Sequence, residues 1–87
     1  MALNFPNLSR FYDARLCAVR FWGHDSAMEA AFFVTGEALK RIQPGIHLDE
    51  AGLLSTFDAN RGLIHAAAIK AYGRGRKGSY ALGSADF

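Results

Sequence analysis

Few residues of this chain have the types and spacing that catalysis or metal binding requires. No two of His24, His47 and His65 show the four-residue spacing that supports a metal pair on a helix. His24 and Asp25 are adjacent and could form an acid–base couple, but a hairpin tip is solvated and lacks a positioned nucleophile. Cys17 is the single cysteine, which excludes an internal disulfide and a cysteine-rich metal site. We therefore expect a non-enzymatic protein with no cofactor.

A basic segment is the sharpest signal for a binding site. Four positive charges fall within eight residues without an acidic residue, and tyrosines are interleaved with them. Such a segment can neutralise phosphates while a tyrosine stacks on a base, which would give weak, sequence-independent nucleic-acid binding. It could also only cap a helix and aid solubility, or contact an acidic protein partner. The candidate contacts are Lys70, Arg74, Arg76, Lys77 and Tyr80.

One long amphipathic helix is predicted from Leu48 to Gly73, and it must position this segment. Asp49 is a suitable N-cap, because its carboxylate can accept from backbone N–H groups of the first turn. A glycine within a helix costs about 1 kcal/mol relative to alanine, so a kink between Asn60 and Gly62 stays open. Apolar side chains recur at helical spacing and form one stripe at Leu53, Phe57, Ile64, Ala68 and Ala71.

The helix stripe needs a sheet to cover, and a hairpin supplies its centre. Strands from Leu16 to Trp22 and from Ala27 to Val34 are predicted around a tip at His24 and Asp25. This register pairs Arg20 with Glu29, and a slip of one residue would move every side chain to the other face. The inward set is Cys17, Val19, Phe21, Met28, Ala30 and Phe32, with Phe21 opposite Met28.

The remaining chain completes a single α+β domain over residues 1–87. Thr35 can cap a short helix from Gly36 to Gln43. Short strands are predicted from Leu8 to Tyr12 and from Ser79 to Leu82. The predicted fold is a three- to four-stranded antiparallel sheet with the long helix packed on one face and the short helix preceding it.

The sheet face away from the long helix is predicted to be apolar. Leu16, Trp22 and Phe33 would project there, whereas the uncovered face of an antiparallel sheet is normally polar. An apolar patch often marks an interface, which here suggests a homodimer. The alternative is that the N-terminal segment with Leu3 and Phe5, or the C-terminal Phe87, folds over this face.

Composition limits the class of protein and its cellular location. Hydrophobic residues make up 51% and charged residues 21%, as in folded globular proteins, and the net charge of +2 is too small to indicate a partner. The longest apolar run, residues 30–34, is far shorter than a membrane span of about 20 residues. The N-terminus lacks the pattern of a signal peptide, so we expect a cytoplasmic protein without membrane contact.

Several short patterns are spread nearly end to end along the chain. They are Phe5-Pro6, Tyr12-Asp13, Val19 to Gly23, Phe57 to Arg61, Ala71 to Arg76, Ser79-Tyr80 and Asp86-Phe87. Together these patterns resemble the small bacterial family of unknown function known as DUF1488. The resemblance implies a compact cytoplasmic α+β domain without an assigned activity, cofactor or catalytic residue. We therefore expect a binding or regulatory module with an unidentified protein partner.

Overall fold

The computed structural model describes residues 3–6, 8–75 and 78–87. In this part of the chain five strands and three helices follow one another, and a 3₁₀ turn covers Ser84–Asp86. The predicted α+β class is confirmed. The strands are β1 (Leu3–Asn4), β2 (Arg10–Asp13), β3 (Ala18–Asp25), β4 (Met28–Thr35) and β5 (Ser79–Leu82), and the helices are α1 (Gly36–Ile42), α2 (Glu50–Ala59) and α3 (Arg61–Gly73).

The described strands form one mixed sheet. Both β1 and β2 pair with β3, β3 pairs with β4, and β4 pairs with β5. The first three pairings are antiparallel, but β5 runs parallel to β4. A parallel neighbour requires a crossover connection, and α1, α2 and α3 lie within it. The predicted three- to four-stranded antiparallel sheet is therefore wrong in strand number and in the direction of its last strand.

The hairpin of β3 and β4 turns two residues later than predicted. Its loop is Ser26 and Ala27, and Ser26 has a φ of 55°, which suits the first position of a two-residue hairpin loop. Phe21 pairs with Phe32 and Arg20 pairs with Phe33, so the predicted pairs with Met28 and Glu29 are wrong. Each partner shifts by four positions, an even number, and the predicted inward and outward faces of the strands are therefore unchanged.

Gly23 explains the misplaced turn. A glycine that follows a strand pattern predicts a turn. Gly23 instead lies inside β3, at the point where the N-terminal segment packs against this strand. A Cβ atom at position 23 would lie 2.9 Å from Cε1 of Phe5 and 3.3 Å from the carbonyl oxygen of Asn4. Glycine is needed at this position for close approach between chain segments.

Two helices replace the predicted single helix. Oδ1 of Asp49 accepts from the Gly52 N–H at 2.8 Å, which confirms the predicted N-cap. The break falls at Asn60, whose φ of −127° and ψ of 28° are not helical. Its side-chain Nδ2 donates to the Thr56 carbonyl at 2.9 Å and takes the place of the backbone bond of a continuous helix. The Asn60 N–H donates instead to the Phe57 carbonyl at 3.1 Å.

The core lies between one face of the sheet and the helices. Phe57 and Ile64 are fully buried, as the apolar stripe predicts, together with Phe21 and Phe32 on the sheet. Two members of the predicted inward set do not belong to the buried core. Cys17 precedes β3 in a turn, with a φ of 48° and a half-buried side chain, and Met28 at the hairpin end is 57% exposed.

Candidate interaction surface

The face of the sheet opposite the helices follows from strand register. Residues directly paired on neighbouring strands point to the same side, and the buried Phe21 and Phe32 mark the inward side. On the opposite side, one row of residues runs across β2, β3, β4 and β5, and the next row runs across β3, β4 and β5. We call this set the outer face: Phe11, Arg20, Phe33 and Ala81 in the first row, and Trp22, Ala31 and Ser79 in the second.

The outer face is apolar except for the Arg20 charge, which is paired with Asp13, and for Ser79 at its β5 edge. Phe11 is 58% exposed, and Trp22 and Phe33 are half-buried. Nε of Arg20 lies 3.5 Å from Oδ2 of Asp13, whose side chain is only 11% exposed. Oδ1 of Asp13 accepts backbone N–H groups of the turn that follows it, at 3.1 and 3.2 Å, which fixes the carboxylate beside the guanidinium.

Polar side chains border this apolar centre at both ends of the strands. At the loop end of the hairpin, His24 is paired with Glu29, and Nε2 of His24 lies 3.8 Å from Oε2 of Glu29. At the other end, Asp13 and Thr35 lie on either side of the buried Ala18 in the same row. An apolar centre with a polar rim is the typical anatomy of a protein–protein interface.

The segments considered as covers for the outer face lie elsewhere. Leu3, Phe5 and Phe87 pack against the hydrophobic core. The Phe5 ring stacks on the His65 ring with centroids 3.9 Å apart and an angle of 6° between the planes. In the described residues, these three side chains therefore pack on the core side and leave the outer face uncovered.

Two of the three residues of the predicted dimer face lie on the outer face, and the third does not. Trp22 and Phe33 lie on the outer face, but Leu16 lies in the turn between β2 and β3. There Leu16 lines a cleft of about 250 Å³ beside Leu48. The prediction also missed Phe11, although the alternation of Phe11 with Tyr12 in a strand could have placed it on this face.

Among the described residues, Tyr80 does not share an open surface with Lys70 and Arg74, the other predicted nucleic-acid contacts. Lys70 and Arg74 are exposed near the end of α3, whereas Arg76 and Lys77 lie outside the described residues. Tyr80 is buried, because its side chain points inward from β5 and stacks on Phe32 with ring centroids 5.0 Å apart. A nucleic-acid base would have to displace core packing to stack on the Tyr80 ring.

Arg74 is held at the end of α3 by the C-terminal segment. Its Nη2 lies 3.2 Å from Oδ1 of Asp86, and the same carboxylate accepts the Gly83 N–H at 2.8 Å. Gly73, where the predicted long helix ends, is the last residue of α3, and Gly75 has the positive φ of 146°. Arg74 and Asp86 line a shallow cleft of about 310 Å³ along β5.

A second ion cluster joins both long helices to the edge of the sheet. Asp58 accepts two hydrogen bonds from Arg10, at 2.9 and 2.8 Å, and one from Arg61 at 2.8 Å. Arg61 also donates to the Leu8 carbonyl at 2.9 Å and lies over the Phe57 ring. The hydrogen bonds from Arg10 and then from Arg61 hold the pKa of Asp58 below its ordinary value, against the opposing effect of desolvation.

The other titratable side chains are dispersed. Burial, and secondarily the nearby Arg61 charge, lowers the pKa of His65 below its ordinary value. Oδ2 of Asp25 accepts the Tyr72 hydroxyl at 2.8 Å, which ties the end of β3 to α3. Within the described ranges, no three His, Cys, Asp or Glu side chains are grouped as metal ligands would be.

The surface and fold define a small α+β domain with helices on one sheet face and an apolar patch on the other, which no segment of residues 3–6, 8–75 and 78–87 covers. Residues 3–82 match the family described as "Protein of unknown function (DUF1488)", and the chain belongs to this family. No curated protein matches it. Over the described residues, none of the helices is both long enough and apolar enough to cross a bilayer.

A solved structure shares the fold. It is the crystal structure of a protein of unknown function from the DUF1488 family of Shewanella loihica PV-4, and it covers 92% of this chain and 90% of its own length with a TM-score of 0.80. The two sequences are 18% identical, so this likeness concerns the fold alone.

Proposed function

We propose that this protein is a non-enzymatic protein-binding module and that the outer face is its binding surface. The observation that carries the proposal is the uncovered apolar centre of the sheet, with Phe11 58% exposed beside Trp22 and Phe33. Contiguous apolar surface of this kind on a small domain is typical of an interaction site. Arg20 adds a side chain type that is enriched, with aromatic residues, at the centre of interfaces.

The proposed setting is the bacterial cytoplasm. A single cysteine, which cannot form an internal disulfide, supports it.

The experiment compares affinity capture by three forms of the tagged protein from an extract of the producing organism. Phe33→Glu places a charge on the outer face, and Leu63→Glu places the same charge on the exposed side of α3, where Leu63 is 51% exposed. We expect a partner that is retained by the wild type and by the Leu63 variant but lost with the Phe33 variant. The purified partner should bind with the same dependence.

Salt separates this function from the alternative. Apolar contacts at the outer face should survive about 0.5 M salt, whereas phosphate contacts weaken steeply as salt rises. A partner that binds the Phe33 variant as well as the wild type would contradict the proposal.

The alternative is weak nucleic-acid binding through the basic segment, and the exposure of Lys70 and Arg74 supports it. The burial of Tyr80 and the ion pair of Arg74 with Asp86 speak for the first proposal instead. Equal affinity of the wild type and an Arg74→Ala, Arg76→Ala, Lys77→Ala variant for an oligonucleotide would remove the alternative.

A further inference from the structure

We infer that the partner of the outer face is a second copy of this chain, bound across a two-fold axis that runs parallel to the strands between β3 and β4. This inference rests on the proposed function of the outer face. It adds an occupant, a symmetry and a residue-by-residue pairing, each derived from the strand register.

The two-fold axis exchanges the positions of neighbouring strands. The axis lies midway between two sheets that pack face to face. Rotation about it places each β3 residue of one copy over a β4 residue of the other copy. That β4 residue has the same number as the direct neighbour of the β3 residue within its own sheet. Each β2 residue likewise lies over the residue of β5 in the same row. The strands of the two copies then run in nearly the same direction, which is the aligned packing of β-sandwiches, with an angle of about 30° caused by sheet twist. A closed symmetric pair is also the commonest form of homo-oligomer.

The second row of the outer face pairs a large side chain with a small one. Trp22 and Ala31 are direct neighbours on β3 and β4. Across the axis, Trp22 of each copy would lie over the partner's Ala31, so the indole fills the space above a methyl group. The face therefore carries both the projecting group and the recess that receives it.

The first row contains two more complementary pairs, one of charge with an aromatic ring and one of a large with a small side chain. Arg20 and Phe33 are neighbours in the sheet, so Arg20 of each copy would lie over the partner's Phe33 ring, a cation–π arrangement. Phe11 on β2 would lie over the partner's Ala81 on β5, again a large side chain over a small one. The Arg20 charge is already paired with Asp13, so two copies can approach without an uncompensated charge between them.

The polar row at the hairpin end is also complementary to itself. His24 and Glu29 are neighbours, and the axis places His24 of each copy over the partner's Glu29. An imidazole N–H can donate a hydrogen bond to a carboxylate. An alignment that placed His24 over His24, or Glu29 over Glu29, would bring like groups together instead. Shape in two rows and charge in a third thus favour the same axis.

The size of the face sets the expected affinity. Four strands about 4.8 Å apart and residues about 3.3 Å apart give a face roughly 20 Å on each side, or about 400 Å² in projection. This places the interface at the small end of protein–protein interfaces, below about 1,200 Å² in total. We expect a reversible dimer with a Kd of about 10–100 µM.

Sedimentation equilibrium of the purified protein up to about 500 µM tests the inference with two variants that exchange a large side chain for a small one and a small side chain for a large one. Trp22→Ala leaves alanine facing alanine, and Ala31→Trp makes tryptophan face tryptophan. Each variant alone should self-associate at least about tenfold more weakly than the wild type. An equimolar mixture restores both pairings, because each alanine then faces a tryptophan, and it should dimerise about as strongly as the wild type.

Controls keep folding and association separate. Leu63→Ala and Ile69→Trp make similar size changes on the exposed side of α3 and should leave self-association unchanged. Circular dichroism verifies that each variant is folded. If the Ala31 variant does not fold, Phe11→Ala mixed with Ala81→Phe tests the same axis through the first row.

The outcomes separate this inference from the proposed function. A mass that stays at the 9.5 kDa of the monomer at the highest concentration overturns the second copy as occupant. A dimer that ignores the single substitutions, or a folded mixture that fails to associate, overturns it as well. A monomer that still captures another protein through Phe33 retains the proposed function and loses only the homodimer.

Discussion

Asp58 is the side chain through which three parts of the chain are connected. It lies near the end of α2 and accepts from Arg10 on β2 and from Arg61 at the start of α3. The Leu8 carbonyl joins the same cluster through Arg61. Because the cluster is partly exposed, its contribution is modest and depends on the charge of Asp58.

Asp58→Asn should lower the thermal unfolding temperature by about 2–5 °C at pH 7. The folded-state pKa of Asp58 is lowered, so its stabilising effect is full above the unfolded value of about 3.9 and is lost as the pH falls through the folded pKa. The difference between variant and wild type should therefore shrink below about pH 4. Unfolding temperatures measured from pH 2 to pH 7 check this, and a difference that is constant over the range would contradict it.

His65 gives a pH dependence of the same direction, but at higher pH. Its folded-state pKa lies below the unfolded value of about 6.5, so the unfolded chain binds the proton more readily. The stability of the wild type should decrease as the pH falls from about 6.5 to the folded pKa. His65→Phe keeps a ring against Phe5 and cannot be protonated, so this loss should be absent from the variant.

Nuclear magnetic resonance titration of the His65 imidazole measures the same effect directly. The midpoint should lie below about 6.5 and should move upward in Arg61→Gln, which removes the neighbouring positive charge. A wild-type midpoint at or above that value would mean that the ring near Phe5 is hydrated.

At the scale of the elements, two glycines within helices have opposite roles. A Cβ atom at Gly52 in the first turn of α2 would overlap the backbone carbonyl of His47, whereas a Cβ at Gly62 in α3 would meet nothing within 4 Å. The close approach at Gly52 allows the chain to turn sharply into α2. Helix propensity alone would predict the same gain from alanine at both positions.

Gly62→Ala should raise the free energy of unfolding by about 0.5–1 kcal/mol, because alanine loses less conformational freedom in a helix. Gly52→Ala should lower it by about 1–3 kcal/mol, because the backbone must move to admit the methyl group. Urea unfolding of the two variants beside the wild type measures both changes. A gain at Gly52 would show that the turn before α2 is adaptable.

Sequence patterns predicted the elements better than their connections. Thr35 and Asp49 cap helices as expected because capping is local. The register of β3 failed at Gly23, whose role depends on a segment about 20 residues away. The break at Asn60 depends on which donor reaches the Thr56 carbonyl, and helical periodicity continues through it without a change.

At the scale of the whole molecule, β5 joins the sheet that the helices cover. Leu82 is fully buried and pairs with Val34, and Tyr80 packs on Phe32. The sequence of β5 indicated a strand, but the antiparallel direction predicted for it was wrong, because direction is set by the length and path of the crossover. Trp22 and Phe33 could be assigned to the outer face from alternation alone, whereas the rows that place Phe11 and Ala81 beside them required the true register.

Leu82→Ala should lower the free energy of unfolding by about 2–4 kcal/mol, because it opens a cavity in the core. Ala81→Ser on the same strand points to the outer face and should change the free energy of unfolding by less than about 0.5 kcal/mol. Urea unfolding distinguishes the two positions. Similar small effects at both would mean that β5 contributes little to the core.

The parallel pairing of β4 with β5 has a consequence for synthesis on the ribosome. Residues 36–78 lie between the end of β4 and the start of β5, and at 5–20 residues per second these 43 residues take roughly 2–9 s to make. During that interval the nascent hairpin exposes an unpaired strand edge, the kind of edge that invites pairing with another chain. Translation of Ser79–Leu82 supplies the strand that covers this edge.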